Sequence, residues 1–258
     1  MERSVSTMTQ ADKARALAAL HTPGSSLVLY NCWDAGSPKA VAKFGALVTG
    51  SWSVVAAQGY TDGQQIPLDF VLRIMERIVA TVSLPLTVDF EGCYAVFQAE
   101  VAANVSRVVD AEGIGINFED KVVGGSGLHS VQEQAARIAA AREGSARAGV
   151  TLFTNARTDL FLQQRDASRR GDLPREAIEQ ADAYGQAGAS GFFVPGLIDP
   201  DNIRAVREVV TLLLNILMMP GAPSLKTFAE LGVARVSYGP GIYRQSMRDL
   251  TETAGRPH

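Results

Sequence analysis

Eight short apolar runs, separated by longer segments of helical periodicity, recur along almost the whole chain, and this alternation is what most narrows the folds open to it. The runs are LVLYNCW (27–33), ALVTGS (46–51), LPLTVDF (84–90), GIGINFE (113–119), VTLFTNAR (150–157), SGFFVPG (190–196), LLLNILMM (212–219) and ARVSYG (234–239). Between them lie amphipathic stretches such as FVLRIMERIVATV, SVQEQAARIAAAREGSARAG, PREAIEQADAYGQAG, DPDNIRAVREVV and SLKTFAELG, and a helical segment over Met8–Leu20 precedes the first run. Pro174 suits a first helical turn, Asp199 and Ser224 can cap N-termini, and Gly149, Gly188 and Gly232 stop helices just before the next run. Apolar strands alternating with helices make a parallel sheet covered on its outer face. Eight such units, with no glycine-rich nucleotide fingerprint after the first, predict an α/β fold, a (β/α)8 TIM-type barrel, rather than an open doubly wound sheet. The stretch LQQRDASRRGDLPREA reads as a polar loop, and no linker interrupts the pattern, so residues 1–258 are expected to form one barrel domain with an N-terminal helix.

Composition excludes several classes of function. With 47% hydrophobic and 20% charged residues the chain can bury a sizeable core. A net charge of −3 with scattered Lys and Arg gives no electrostatic footprint for nucleic acid. No apolar run approaches the roughly 20 residues that span a bilayer, and MERSVSTMTQADKARALAAL lacks the basic-then-apolar order of a leader peptide, so a cytoplasmic protein without a membrane partner is expected. Cys32 and Cys93 have neither zinc-like spacing nor a disulfide framework and are expected as thiols.

In parallel barrels the chemistry sits at the C-terminal ends of the strands. LTVDFEGCYA carries Asp89 and Glu91 to such an end, the next run delivers Glu119, Asp120 and Lys121, and the one after it Asn155, Arg157 and Asp159. Side chains two apart on a strand share a face, so these acids crowd one pocket unless something neutralises them. Mg2+ suits such an all-oxygen set because it keeps several waters and leaves positions for substrate oxygens; Mn2+ accepts the same shell. Asp89, Glu91 and Glu119 are therefore the candidate metal ligands, and Arg157 a planar fork for a substrate carboxylate or phosphonate. Cation and arginine together imply a small, oxygen-rich anionic substrate. A purely structural ion-pair network is the competing reading, disfavoured by the spread of the set over three consecutive strands at one face.

The motifs in their order resemble the isocitrate lyase and phosphoenolpyruvate mutase superfamily, roughly from Asn31 to Met247. TGSWS is similar to the family's glycine and serine that hold substrate oxygens, which places Gly50, Ser51 and Trp52 at the substrate. Asp62 in GYTDG matches a loop aspartate, DFEGCYA matches the metal-site pattern with Tyr94 at its tyrosine, and Glu119, Asp120 and Lys121 match a Glu-Asp-Lys triplet. NARTD matches Ala-Arg-x-Glu or Asp, hence Arg157 and Asp159, with Asn155 beside them. The resemblance implies a Mg2+-dependent lyase or decarboxylase that cleaves a C–C bond of a small 2-oxo acid or dicarboxylate through an enolate. It also implies a homo-oligomer, dimer or tetramer, associating through the last helices. The chain departs from the family pattern at KVVGGSGLHS, where lyases carry a cysteine loop, and it lacks the Pro-Lys-x-Asn-Ser lid of phosphonate enzymes. A short glycine-rich loop leaves an open site that suits decarboxylation or hydrolysis. A P–C mutase or hydrolase, and a catalytically lapsed metabolite-binding barrel, are the alternatives.

Further candidates surround this set. Asp62 is placed to handle a proton or a water. Cys93, where the family has glycine, is a substitute acid or base, or a small packed residue. His129 is a proton donor or a surface loop residue. Lys121 is a Schiff-base candidate read here as an ion-pair member, because neighbouring acids hold it protonated. SYGPGIYRQS is an anion-binding turn or a simple one, MMPGAPS a tight loop, and Trp52 a bulky wall that restricts the substrate or a cap on the barrel mouth.

Overall fold

Backbone pairing gathers every predicted apolar run into one sheet. The computed structural model describes residues 8–164 and 171–256; the core of the loop assigned to LQQRDASRRGDLPREA, residues 165–170, lies outside them. The strands are β1 (Leu27–Leu29), β2 (Asn31–Cys32), β3 (Leu47–Thr49), β4 (Leu86–Asp89), β5 (Gly115–Glu119), β6 (Phe153–Arg157), β7 (Gly191–Phe193), β8 (Leu213–Leu217) and β9 (Arg235–Ser237). All pairs are parallel, in the order β1-β9-β8-β7-β6-β5-β4-β3-β2. The two ends of that order, β1 and β2, are separated by Tyr30 alone, so they are halves of one interrupted strand and the sheet closes into the expected barrel.

The helices are α1 (Gln10–Leu20), α2 (Ser37–Val41), α3 (Ser51–Ala57), α4 (Leu68–Val79), α5 (Gln98–Asp110), α6 (Val131–Arg147), α7 (Leu160–Gln163), α8 (Leu173–Gln186), α9 (Pro200–Val209), α10 (Leu225–Glu230) and α11 (Gly241–Ala254). Predicted punctuation is in place: Asp199 and Ser224 accept first-turn amide hydrogens, and Gly149, Gly188 and Gly232 take the left-handed φ values (78°, 95° and 78°) that only glycine adopts cheaply. Helix α5, not foreseen from the sequence, is rich in β-branched valine, which imitates a strand. Val101, Val105, Val108 and Val109 nonetheless fall on one helical face and are buried.

Helix α1 plugs the end of the barrel remote from the site. Leu17 is fully buried against Gly115, where a Cβ would stand 3.0 Å from its Cδ2 atom, and His21 stacks on Phe153 with ring centroids 4.0 Å apart. Gln10 ties the helix to the carbonyls of Val109 and Gly113. With this end filled by side chains, the C-terminal ends of the strands are where the barrel opens. No helix among the described residues is long and apolar enough to cross a membrane.

Candidate active site

At those strand ends the sequence converges on one cavity of about 210 Å³, lined by Asn31, Ser51, Trp52, Asp62, Asp89, Glu91, Asn117, Glu119, Lys121 and Arg157, and by the apolar side chains of β7, β8 and the loops after β6 and β9. Asp89 ends β4, and its Oδ2 accepts from the Ser51 amide (3.0 Å) and hydroxyl (2.7 Å), both presented by the start of α3. Its backbone N–H donates to the Thr49 hydroxyl at 3.0 Å, which fixes the strand end on which the carboxylate sits. Glu91 lies in the turn after β4 and accepts from the Gln64 amide at 3.0 Å.

That turn is held in an expensive conformation. Glu91, Cys93 and Tyr94 have φ of 47°, 61° and 52°, the left-handed region that costs a non-glycine residue on the order of 1 kcal/mol each. The restraint comes from outside: Arg137 on α6 donates to the carbonyls of Gly92 (2.8 Å) and Ala95 (2.9 Å), and Asn104 on α5 to those of Cys93 (3.0 Å) and Tyr94 (3.2 Å). Bending the chain this way returns the Glu91 side chain to the cavity. Over-determined strain of this kind clusters at functional sites.

Arg157 ends β6 and is clamped on the acids around it. Its Nε and Nη2 donate to the two oxygens of Asp159 (2.7 and 3.1 Å), Nη1 lies 3.1 Å from Glu119 and 3.8 Å from Asp89. Burial opposes its charge, but Glu119 and Asp159 outweigh that and hold the guanidinium firmly protonated. Glu91 and Glu119 show the opposite response. Burial, joined by the charges of Asp62, Glu119 and Asp89, pushes Glu91 up to about 8. Burial, with Asp159 and Asp89 adding to it against the pull of Arg157, pushes Glu119 up to about 7. In both, burial and the neighbouring carboxylates favour the protonated form.

Among the described residues no three acid, His or Cys side chains converge on a single point as a preformed metal cage. Asp89, Glu91 and Glu119 instead stand around the cavity, each with one oxygen engaged by Ser51, Gln64 or Arg157. Such an arrangement fits Mg2+, which retains several waters and takes only one or two carboxylates directly. The acid set and its raised protonation therefore fit a hard divalent cation.

The structure relocates several of the expected site residues. Asn155 is fully buried one layer below the cavity, donating to Asn117 at 2.9 Å and accepting from Asn215, so it supports the floor instead of touching substrate. Gly50 does not line the cavity either; its N–H is directed at the Cys32 carbonyl at 3.3 Å, and Ser51 spends its N–H and hydroxyl on Asp89. Cys93 is 0% exposed and outside the cavity, with burial pushing its thiol upward, which makes it the packed residue and not an acid or base. Lys121 lines the cavity and its charge favours the ionised form of Glu119, although among the described residues it makes no salt bridge and Glu119 pairs with Arg157 at 3.1 Å. Asp120 points away, receiving Gln180, Tyr184 and the Asp159 amide. His129 lies in a side cleft with Tyr94 and Arg137. Asp62 and Trp52 do line the cavity, the latter with Arg244 stacked 4.3 Å above its ring.

Two features went unread in the sequence. Arg235 is 1% exposed inside the barrel and donates to Asn117 at 3.3 Å, a depth that its position in the short run ARVSYG does not announce. The apolar wall formed by Leu162, Phe193, Pro195, Leu217 and Pro240 comes from four separate segments, so no local motif announces it.

Comparison with known proteins agrees with this geometry. The sequence model of the family described as phosphoenolpyruvate phosphomutase matches residues 17–256. The crystal structure of a protein from Burkholderia cenocepacia J2315, provisionally named a phosphonomutase, superposes with a TM-score of 0.92 at 42% identity over 95% of this chain and 98% of that one. An oxaloacetate decarboxylase of Pseudomonas savastanoi pv. phaseolicola (strain 1448A / Race 6) is 27% identical over 249 residues, 90% of this chain and 80% of its own length. A phosphonopyruvate hydrolase in complex with oxalate and Mg2+ shares the fold with a TM-score of 0.75 at 23% identity, over 94% of this chain and 88% of that one.

Proposed function

The chain belongs to the phosphoenolpyruvate phosphomutase family, and from that premise we propose that it is a Mg2+-dependent carbon–carbon lyase or decarboxylase acting on a small 2-oxo acid or dicarboxylate through an enolate. The observation that carries this reading is the pairing of Asp89, Glu91 and Glu119 with Arg157 around one cavity, two of the acids being raised toward neutrality. Asp89, Glu91 and Glu119 would hold the cation, which supplies positive charge where an enolate oxygen develops. The chain's own groups do the rest. Ser51 fixes the orientation of Asp89, and Asp159 holds Nε and Nη2 of Arg157, so that an incoming carboxylate would share Nη1 with Glu119 or replace it there. Asp62, exposed at the mouth, is placed to deliver a proton, directly or through water, to the enolate carbon left when the C–C bond has broken. A neighbouring oxaloacetate decarboxylase supports decarboxylation as the reaction type.

The test is calorimetric titration of the metal-stripped protein with oxalate, a mimic of a pyruvate enolate, with and without Mg2+. Binding is expected only with Mg2+, and Asp89→Ala or Arg157→Ala should abolish it. Equal binding by parent and variants would sink the proposal. A second reading, cleavage of a P–C bond, is favoured by the provisional name of the 42%-identical Burkholderia protein; conversion of phosphonopyruvate to phosphoenolpyruvate, or to pyruvate and phosphate, distinguishes it. We also propose a homo-oligomer, because α11 buries none of its residues and exposes Leu250 at 61%. Light scattering that returns a monomer mass would reject it.

A further inference from the structure

At the cavity floor the barrel interior carries a chain of side-chain amides that all donate in one direction. Strand pairing places Asp89 beside Asn117 and Asn117 beside Asn155, and on the far side of β7 it places Asn215 beside Arg235. Asn215 donates to the Asn155 side-chain oxygen, Asn155 to that of Asn117 at 2.9 Å, and Asn117 to Asp89 Oδ1 at 3.4 Å. The link from Asn215 to Asn155 crosses β7 at Gly191, where a Cβ would stand 2.7 Å from Asn215 Nδ2 and 2.9 Å from Asn155 Oδ1. A glycine at that position is what lets the two amides meet.

Arg235 fixes the direction of the chain. Its Nη2 donates to Asn117 Oδ1 at 3.3 Å, and a guanidinium has no acceptor, so the Asn117 oxygen faces the arginine and its NH2 group faces Asp89 and the cavity. One hydrogen of that group is directed at Asp89, which leaves the other for the cavity. Arg235 is 1% exposed, and its Nε and Nη1 have no hydrogen-bond partner among the described residues. Burial lowers its pKa to about 10, with the charge of Asp89 acting against that, so it is a cation at neutral pH. A buried cation with so few partners costs stability. What the site gains is an amide whose orientation is set and whose N–H is polarised by the positive charge at its oxygen.

Asn117 stands where such a donor can act on a ligand. It pairs with Asp89 across β4 and β5 and precedes Glu119 by two residues on the same face of β5, so it lies between two of the proposed cation ligands. It is 3% exposed and lines the cavity, and a preorganised donor shielded from water is where negative charge developing on an oxygen is stabilised most.

We infer that Asn117 is a substrate-contacting residue that gives its second amide hydrogen to the ligand oxygen on which negative charge develops, and that Arg235 is the positioning residue that orients and polarises this amide. The inference rests on the proposed metal–enolate reading of the same cavity.

A crystal structure of the parent protein with Mg2+ and oxalate tests the contact. Asn117 Nδ2 is expected within about 3.2 Å of an oxalate oxygen, with Oδ1 still receiving Arg235. Calorimetry in saturating Mg2+ tests the positioning role. Arg235→Met should bind oxalate at least about fivefold more weakly, and Arg235→Lys, which keeps a cation and a donor, should recover most of the loss. Arg235→Gln, neutral but polar, should show the weaker binding as well if methionine is not tolerated in the fold. A role confined to holding the barrel together would lower the melting temperature of these variants and leave the oxalate affinity of the folded protein at the parental value. Oxalate bound with Asn117 Nδ2 out of reach, or parental affinity in the folded neutral variants, would overturn the inference and leave the metal–enolate reading standing. Failure of oxalate itself to bind in Mg2+ would overturn both.

Discussion

Ser51 spends its backbone N–H and its hydroxyl on one oxygen of Asp89, leaving the other turned toward Asn117 and Arg157. A hydrogen bond to a charged acceptor is worth about 1.5–3 kcal/mol, so Ser51→Ala should weaken Mg2+-dependent oxalate binding roughly tenfold in calorimetry while moving the melting temperature little. Strand alternation predicts that Asp89 and Glu91 share a face, but β4 ends at Asp89 and it is the turn, with Glu91 at φ 47°, that brings the second acid to the cavity. Depth along the barrel axis is not legible in alternation. Asn155 and Arg157 share a face of β6, yet the first lies in the buried layer with Asn117 and Asn215 and only the second reaches the cavity. Cys93 shows the same limit: it stands two residues from Glu91, which lines the cavity, yet it is packed in the core. Both cysteines are 0% exposed, so neither thiol should react with an aromatic disulfide reagent in the native protein, and both should react on unfolding. Fast labelling of Cys93 in native buffer would contradict its placement.

The turn between β4 and α5 is the element on which the site depends, and its conformation is imposed by its surroundings. Nothing in DFEGCYA requires three non-glycine residues at positive φ. The carbonyls of Gly92 and Ala95 are drawn to Arg137, 3% exposed on α6 and lying over the Phe118 ring at 4.8 Å. Arg137→Met removes both donors and leaves two buried carbonyls unpaired, a loss of about 2–4 kcal/mol. The expected result is a lower urea midpoint and at least tenfold weaker Mg2+-dependent oxalate binding. Unaltered oxalate affinity would mean the turn holds its shape alone. This dependence also explains what sequence could deliver at the element scale. The eight strands and the capped helices declare themselves through local periodicity and cap chemistry. The turn, the valine-rich α5 and the break at Tyr30 between β1 and β2 are decided by long-range contacts that no window of sequence contains.

For the molecule as a whole, the buried acids make stability and metal loading two readings of one equilibrium. Glu91 near 8 and Glu119 near 7 hold protons in the folded state that an unfolded chain, with ordinary values near 4.5, has already released. Folding then takes up protons, so stability due to these groups is full below about pH 4.5 and is lost as pH rises through 7 and 8. His21 acts in the opposite sense. Burial lowers it to about 3, and stability linked to it is present above 6.5 and lost as pH falls. The two trends oppose one another below pH 6.5, which leaves pH 6.5–8 as the window in which the acids alone set the slope. Metal-free protein should therefore melt at progressively lower temperature from pH 6.5 to 8. Excess Mg2+ requires the deprotonated carboxylates and binds better as pH rises, so it should flatten or reverse that slope and release protons measurable in buffers of different ionisation enthalpy. Glu91→Gln, which cannot ionise, should remove most of the metal-free slope and most of the response to Mg2+ together. If the slope survives that substitution, the proton resides elsewhere and Glu91 is not the group that the cation replaces.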